Sequence, residues 1–232
     1  MDNQQLFNLT DNQLQVILTS QLGDGCLFKQ KKMTNYYYVT NSKNLEYLKF
    51  KKKLLETLSS EEIKRIECNG YSQTYIYTLR SKSHVDFSII KNMSLQSILD
   101  NLNNLGIALW IYDDGSLHNS KNYYNLYTNK FSLEEHEEIL VPFFKSRGFN
   151  PTIRVDKKKD DRIFYYLSFG MYDGAYKINK ILQKYKIKDY EYKLWSSETI
   201  HKWSKLQEEL KRRNNPVLTN RQLGSIMRRI EL

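Results

Sequence analysis

Two stretches decide how the rest of this chain is read: Leu14-Gln15-Val16-Ile17-Leu18-Thr19-Ser20-Gln21-Leu22-Gly23-Asp24-Gly25 and Leu105-Gly106-Ile107-Ala108-Leu109-Trp110-Ile111-Tyr112-Asp113-Asp114-Gly115. Each is an apolar run that ends in aspartate followed by glycine. Leu14, Ile17, Leu18 and Leu22 in the first, and Leu102, Leu105 and Leu109 around the second, recur at three- and four-residue steps, which predicts two helices with a buried stripe. Gly25 and Gly115 are expected to stop these helices in a left-handed conformation.

The acids before each stop are the informative feature. A helix C-terminus carries partial negative charge and favours Lys, Arg or His, so Asp24 and Asp114, with Asp113, run against the dipole and call for positive charge nearby. If the two helices packed side by side, carboxylates about 5 Å apart would repel by about 3 kcal/mol at an effective dielectric near 20. A divalent cation would reverse that sign, with water and phosphate oxygens completing its shell, a chemistry suited to phosphodiester cleavage. One Asp-Gly pair after a helix is ordinary turn chemistry. Two with the same apolar lead-in, 114 − 24 = 90 residues apart, make a repeat.

The 232 residues are 40% hydrophobic, enough for a core, and the 90-residue interval points to two similar lobes. The formal charge of +10, with 18 tyrosines among the basic residues, points to a polyanion, nucleic acid first. Cys26 and Cys68 form no Cys-x-x-Cys or Cys/His cluster, which argues against structural zinc or a disulfide framework. The opening Met1-Asp2-Asn3-Gln4-Gln5 lacks the features of a signal peptide and no stretch reaches membrane-spanning length. The expectation is a soluble, intracellular protein, in a bacterial or phage-encoded cytoplasm or an organelle, without a membrane partner.

Taken in order, Thr10 to Gln13 fits a capping box that opens the first helix. Cys26 to Lys32 and Asn35 to Thr40 read as a hairpin in which Lys29, Lys31, Tyr36, Tyr38 and Thr40 share a face. Asn44 to Leu58 reads as an amphipathic helix, and Tyr71 to Arg80 as a strand with Tyr71, Gln73, Tyr75 and Tyr77 on one side and Thr74, Ile76, Thr78 and Arg80 on the other. Val85 to Ile90 is a short apolar segment. The order then repeats: a hairpin from Ser116 to Lys130, a helix from Leu133 to Ser146 capped by Ser132 and Glu135, strands at Thr152 to Val155 and Ile163 to Phe169, and a helix from Tyr172 to Tyr185. The fold class is therefore α+β, the pattern αββαββα twice. The expected units are residues 1–100, residues 101–203 and a basic helical extension, 204–232.

The runs Ile17 to Gly25 and Ile107 to Gly115 resemble the two motifs of single-chain LAGLIDADG homing endonucleases, the second in the Trp-x-x-Asp-Asp-Gly form of intron-encoded members. The resemblance covers residues 10 to 203 in element order. It implies two pseudo-symmetric lobes whose motif helices pack at the lobe interface, with antiparallel, saddle-shaped sheets over double-stranded DNA. It also implies that Asp24 and Asp114 hold catalytic Mg²⁺, with Gly23 and Asp113 in the metal set. Lys91 and Lys193 fall where the family carries basic residues near the cut phosphates.

What the resemblance implies for activity is a monomeric, Mg²⁺-dependent, site-specific endonuclease cutting a long, non-palindromic target with 3′ overhangs. Candidate DNA contacts are Lys29, Lys31, Tyr36, Tyr38, Gln73, Tyr75, Arg80 and Lys82 in the first lobe, and Asn119, Lys121, Tyr123, Asn125, Arg154 and Arg162 in the second. Relatives that assist intron splicing as RNA maturases, with intron RNA as partner, and relatives that bind DNA without cutting it supply the alternatives. The motif position often held by glycine is Thr19 in one helix and Leu109 in the other, with Ser20, Gly23, Gly106 and Ala108 as the nearby small residues. Trp110 and Tyr112 are expected to lie against the smaller surface of the first helix.

Overall fold

The computed structural model describes residues 7–60, 62–68, 74–118, 122–157 and 163–212. The first half runs α1 (Asp11–Thr19), β1 (Gly25–Phe28), β2 (Tyr36–Ser42), α2 (Leu45–Leu55), β3 (Lys64–Cys68), β4 (Thr74–His84), α3 (Asp86–Lys91) and α4 (Leu95–Asp100). The second runs α5 (Asn104–Asp114), β5 (Gly115–His118), β6 (Tyr123–Tyr127), α6 (Leu133–Glu135), α7 (Val141–Ser146), β7 (Thr152–Lys157), β8 (Ile163–Phe169), α8 (Tyr176–Lys184) and α9 (Ser197–Arg212). The sheets have the same topology, β1-β2-β4-β3 and β5-β6-β8-β7, and every pairing is antiparallel. The twofold αββαββα pattern read from the sequence is the observed one.

Local chemistry places the helix starts where expected. Thr10 Oγ1 accepts from the Gln13 amide while the Thr10 amide donates to Gln13 Oε1, and Ser132 with Glu135 repeats the arrangement. Asn103 caps α5 by accepting from the amides of Leu105 and Gly106. Between α6 and α7 the helix widens into a π turn, His136–Leu140. Its fully buried imidazole bridges Thr128 Oγ1 and the Ser132 carbonyl.

Each sheet buries one face. Tyr38 and Thr40 of β2, Leu79 of β4, Tyr124 and Leu126 of β6, and Leu167 and Phe169 of β8 point to the helices and are buried. The opposite face carries Phe28, Tyr37, Val39, Asn41, Ile76, Thr78 and Arg80 in the first lobe. Its counterpart in the second carries His118, Tyr123, Asn125, Tyr127, Arg154 and Tyr166. Among the described residues no helix is long and apolar enough to cross a membrane.

The structure corrects several expectations. Val85 to Ile90 contains a helix, α3, and Lys64–Cys68 is an unforeseen edge strand. Neither Gly25 nor Gly115 is left-handed; Gly115 is extended at φ −92°, ψ 151°. Both are glycine because the backbone is crowded: a Cβ at Gly25 would sit 2.7 Å from Ser20 and Tyr38 side-chain atoms, and one at Gly115 would sit 2.5 Å from the Ile111 carbonyl oxygen. The boundary expected at residue 203/204 falls inside α9, whose Trp203 and Leu206 are buried in the core. Residues 213–232 lie outside the described residues.

Candidate active site

The two motif helices cross closely where their small residues meet. Thr19 Oγ1 donates to the Gln15 carbonyl and lies 3.5 Å from the Gly106 carbonyl of α5. A Cβ at Gly106 would sit 2.5 Å from Gln15 Oε1. The Gln15 amide then ties α1 to the segment before α5, donating to the Asn101 carbonyl and accepting from the Asn103 amide at 2.9 Å. Trp110 departs from expectation: its ring packs on Phe144 of its own lobe, 6.0 Å between centroids, because α5 buries that face inside the second core. Tyr112 reaches the first lobe, but at Tyr47 of α2 rather than at α1, and its hydroxyl donates to the Leu182 and Tyr185 carbonyls of its own lobe.

The crossing brings the acidic ends together. A Cβ at Gly23 would lie 2.9 Å from Asp113 Cβ and Oδ2 and 3.2 Å from Asp114 Oδ2, so the chain before Asp24 rests directly against the α5 terminus. Thr40 Oγ1 fixes the Asp24 backbone by donating to its carbonyl at 3.0 Å. Burial, then the Asp113 charge, raises the pKa of Asp24. Burial, then Asp113 and Asp24, pushes Asp114 up to about 7.

Three lysines answer this charge. Lys193, buried in the 3₁₀ segment Lys188–Lys193, donates to the α5 carbonyls of Ile111 at 3.2 Å and Tyr112 at 2.8 Å. Burial lowers it to about 8, against the pull of the three aspartates. Lys130, just after β6, donates to the Gln21 carbonyl beyond α1; burial lowers its pKa, while Asp114 and Asp24 oppose that shift. Lys51 of α2 is enclosed and bonds both oxygens of Asp113, at 2.8 and 3.1 Å. Tyr47 OH adds a third bond to that carboxylate at 2.5 Å.

Asp113 is therefore not an open metal ligand. Its carboxylate is taken up by Lys51 and Tyr47, with a side-chain exposure of 1%. Lys91 is exposed in the last turn of α3, close enough to Lys130 to disfavour the charge there. The expected lysines are not equivalent by topology: Lys91 closes the helix that follows β4, whereas Lys193 comes after α8. Lys51 and Lys130 were missed. The signal for Lys51 was its phase, three residues after Leu48 and four before Leu55, on the buried stripe of α2.

The candidate DNA contacts divide by sheet face. Arg80, Tyr123, Asn125 and Arg154 point to the saddle, although Asn125 is only 8% exposed. Lys29, Lys31 and Lys82 are exposed at the ends and bulge of their strands. Tyr36, Tyr38 and Tyr75 are corrections. They share the helix-side face with Thr40 and Leu79, and Tyr38 is wholly buried. The expected face was real, but it is the core face, and a shift of one residue exchanges the two. Tyr37 is the β2 tyrosine on the saddle. Gln73, Asn119, Lys121 and Arg162 lie outside the described residues.

Two antiparallel saddles joined by crossed helices with paired acidic ends define a class of two-lobed α+β proteins built around a shared interface site. The chain belongs to the LAGLIDADG DNA endonuclease family, whose sequence pattern matches residues 14–175. A probable intron-encoded DNA endonuclease 3 from Mycosarcoma maydis is 28% identical over 131 residues, 51% of this chain and 92% of that protein. Among solved structures, the homing endonuclease I-WcaI bound to its DNA recognition sequence superposes with a TM-score of 0.70 at 18% identity, covering 83% of this chain and 90% of that one. Mesophilic variants of I-DmoI match at a TM-score of 0.48 and 18% identity, over 75% and 96% of the two chains.

Proposed function

We propose that this protein is a monomeric, site-specific DNA endonuclease that uses divalent metal ions, Mg²⁺ being the natural choice, at the crossing of α1 and α5. The observation that carries the reading is the convergence of Asp24 and Asp114 at the crossing, two carboxylates whose charge is disfavoured by partial desolvation and by the nearby Asp113, with Asp24 adding to the cost at Asp114. Among the described residues no group of three or more His, Cys, Asp and Glu forms a cation site. The donor set is thus two carboxylates, with the Gly23 backbone carbonyl as the further protein donor. That suits a hard cation whose remaining positions belong to water and phosphate oxygens. Family membership and the DNA-bound state of I-WcaI support double-stranded DNA as the substrate.

When bound, the metal supplies an activated water and charge neutralisation at the phosphorus. The chain's own residues prepare the place. Asp24 and Asp114 hold one charge from each lobe, so each strand meets one of them. Lys193 and Lys130 donate to the carbonyls at the two helix ends and leave positive charge beside the path of the phosphates. Because the two saddles carry different side chains, the target is long and non-palindromic. The family precedent is a staggered cut with 3′ overhangs.

The test is strand-resolved cleavage of a target found by selection from a randomised duplex library, with Mg²⁺ and with chelator, followed by end mapping. Double-strand cutting that requires the metal and leaves 3′ overhangs supports the reading. Specific binding with no cutting in any divalent metal would overturn it.

A further inference from the structure

Apolar and aromatic side chains line much of the saddle face of the first lobe, beside Asn41, Thr78 and Arg80. Phe28, Tyr37, Val39, Ile66 and Ile76 dominate it, and Phe28 and Ile66 are 49% and 45% exposed. Residues 1–100 contain two arginines, Arg65 and Arg80. Arg65 packs 4.0 Å over the ring of Tyr75, on the helix-side face. Arg80 is thus the one guanidinium of this lobe that reaches the saddle, and it does so from β4, an interior strand.

Its geometry is fixed by an aromatic stack. The Arg80 guanidinium carbon lies 3.8 Å from the centroid of Tyr37, and the Tyr37 ring in turn stacks with Phe28, 6.3 Å between centroids and 29° between planes. The three side chains cross β1, β2 and β4 as one column. Among the described residues no carboxylate pairs with Arg80. A guanidinium lying on an aromatic ring keeps its in-plane N–H donors free, pre-set as a fork. A fork that reaches a base edge in the groove reads sequence, whereas one that reaches a phosphate only positions the protein.

Resting on the DNA-cleaving reading above, we propose that Arg80, held over the ring of Tyr37, reads one guanine in the half-site of the first lobe through the O6 and N7 edge in the major groove. No other base offers two acceptors on that edge. The nearest polar neighbours on this face, Asn41 and Thr78, are bonded to each other, Thr78 Oγ1 donating to Asn41 Oδ1 at 2.7 Å. Arg80 is the specificity-determining residue and Tyr37 its positioning residue.

The experiment is selection of bound duplexes from a randomised library with Ca²⁺ replacing Mg²⁺, for wild type, Arg80→Ala, Arg80→Lys, Tyr37→Phe and Tyr37→Leu. Single-base variants of the winning duplex are then titrated at several salt concentrations. Wild type is expected to require G·C at one position of this half-site. Arg80→Ala should accept any pair there, a loss of about 5- to 150-fold in discrimination, with the other positions unchanged. Tyr37→Leu should weaken the same preference, whereas Tyr37→Phe, which keeps the ring, should retain it. If Arg80→Ala weakened all sequences alike and flattened the salt dependence, Arg80 would be a phosphate contact and the inference would be overturned. An unaltered selection profile in Arg80→Ala would overturn it equally. Failure of wild type to enrich any sequence would instead refute the DNA reading itself, and this inference with it.

Discussion

Lys51 Nζ lies 2.8 and 3.1 Å from the two oxygens of Asp113, an ion pair between lobes whose side chains are 2% and 1% exposed. Burial disfavours the ammonium, but Asp113 and Tyr38 outweigh it and hold the lysine pKa above its ordinary value. Removing one partner strands the other charge in the core. Lys51→Met is therefore expected to destabilise the protein by about 3–5 kcal/mol, and Lys51→Met with Asp113→Asn to recover most of that. Urea unfolding of the four members of this double-mutant cycle measures the coupling.

Asp24→Asn and Asp114→Asn should each lower cleavage by about a hundredfold or more while leaving Ca²⁺-supported DNA binding near wild type. Asp114→Asn should also raise the metal-free thermal midpoint at pH 8, because it removes a charge that burial disfavours. Nicking assays with each strand labelled, and melting curves in chelator, report the two effects separately.

The pH dependence of stability follows from the same carboxylate. The folded-state pKa of Asp114 is about 7, above its ordinary 3.8, so its protonated form is the one the fold favours. Its contribution is fully present below about pH 4 and is lost as pH rises through 7. A divalent cation binds the ionised form. Mg²⁺ should accordingly raise the melting temperature more at pH 8 than at pH 5, and binding near pH 6 should release protons, detectable by calorimetry in buffers of different ionisation enthalpy.

Gly23→Ala places a methyl group 2.9 Å from Asp113 Cβ and Oδ2. The neighbours are the buried ion pair and the end of a helix, neither free to retreat. A loss of about 1–3 kcal/mol is expected, with slower cutting as Asp114 is displaced. Wild-type stability together with wild-type cleavage would show that the crossing tolerates more separation than this geometry allows.

Lys193→Met leaves the Ile111 and Tyr112 carbonyls without their ammonium donor. About 1–3 kcal/mol of stability should go with it. Lys193 is held near pKa 8, so wild-type cleavage should decline as pH rises past that value, and a Lys193→Arg enzyme that folds should keep cutting to higher pH.

Much of the fold was legible because its signals are local and repeated. The capping residues Thr10 and Ser132, the apolar stripes of α1 and α5, and the second Asp-Gly all act within a few residues. The aspartates of the site were legible for the same reason. Face assignment in β2 was not, because Tyr36, Tyr37 and Tyr38 are chemically alike and only tertiary packing decides which of them is buried. Lys51 was hidden inside Lys51-Lys52-Lys53, where a charged run masks the one lysine in phase with the core. β3 escaped notice because Lys64-Arg65-Ile66-Glu67-Cys68 has little alternation, as befits an edge strand with one neighbour.

Gly23 and Asp113 occupy matching places in the two motifs, one residue before Asp24 and Asp114, and the carboxylate of one fills the space left by the missing side chain of the other. This makes the joint between the halves a lock and a key rather than two identical hands. Two copies of the first half would face each other across a void with their Lys51 ammoniums unanswered. Two copies of the second would force a pair of carboxylates into one volume. Although the halves share a topology, at this joint each supplies what the other lacks: the first a bare glycine and a buried ammonium, the second the carboxylate that fills the one and answers the other.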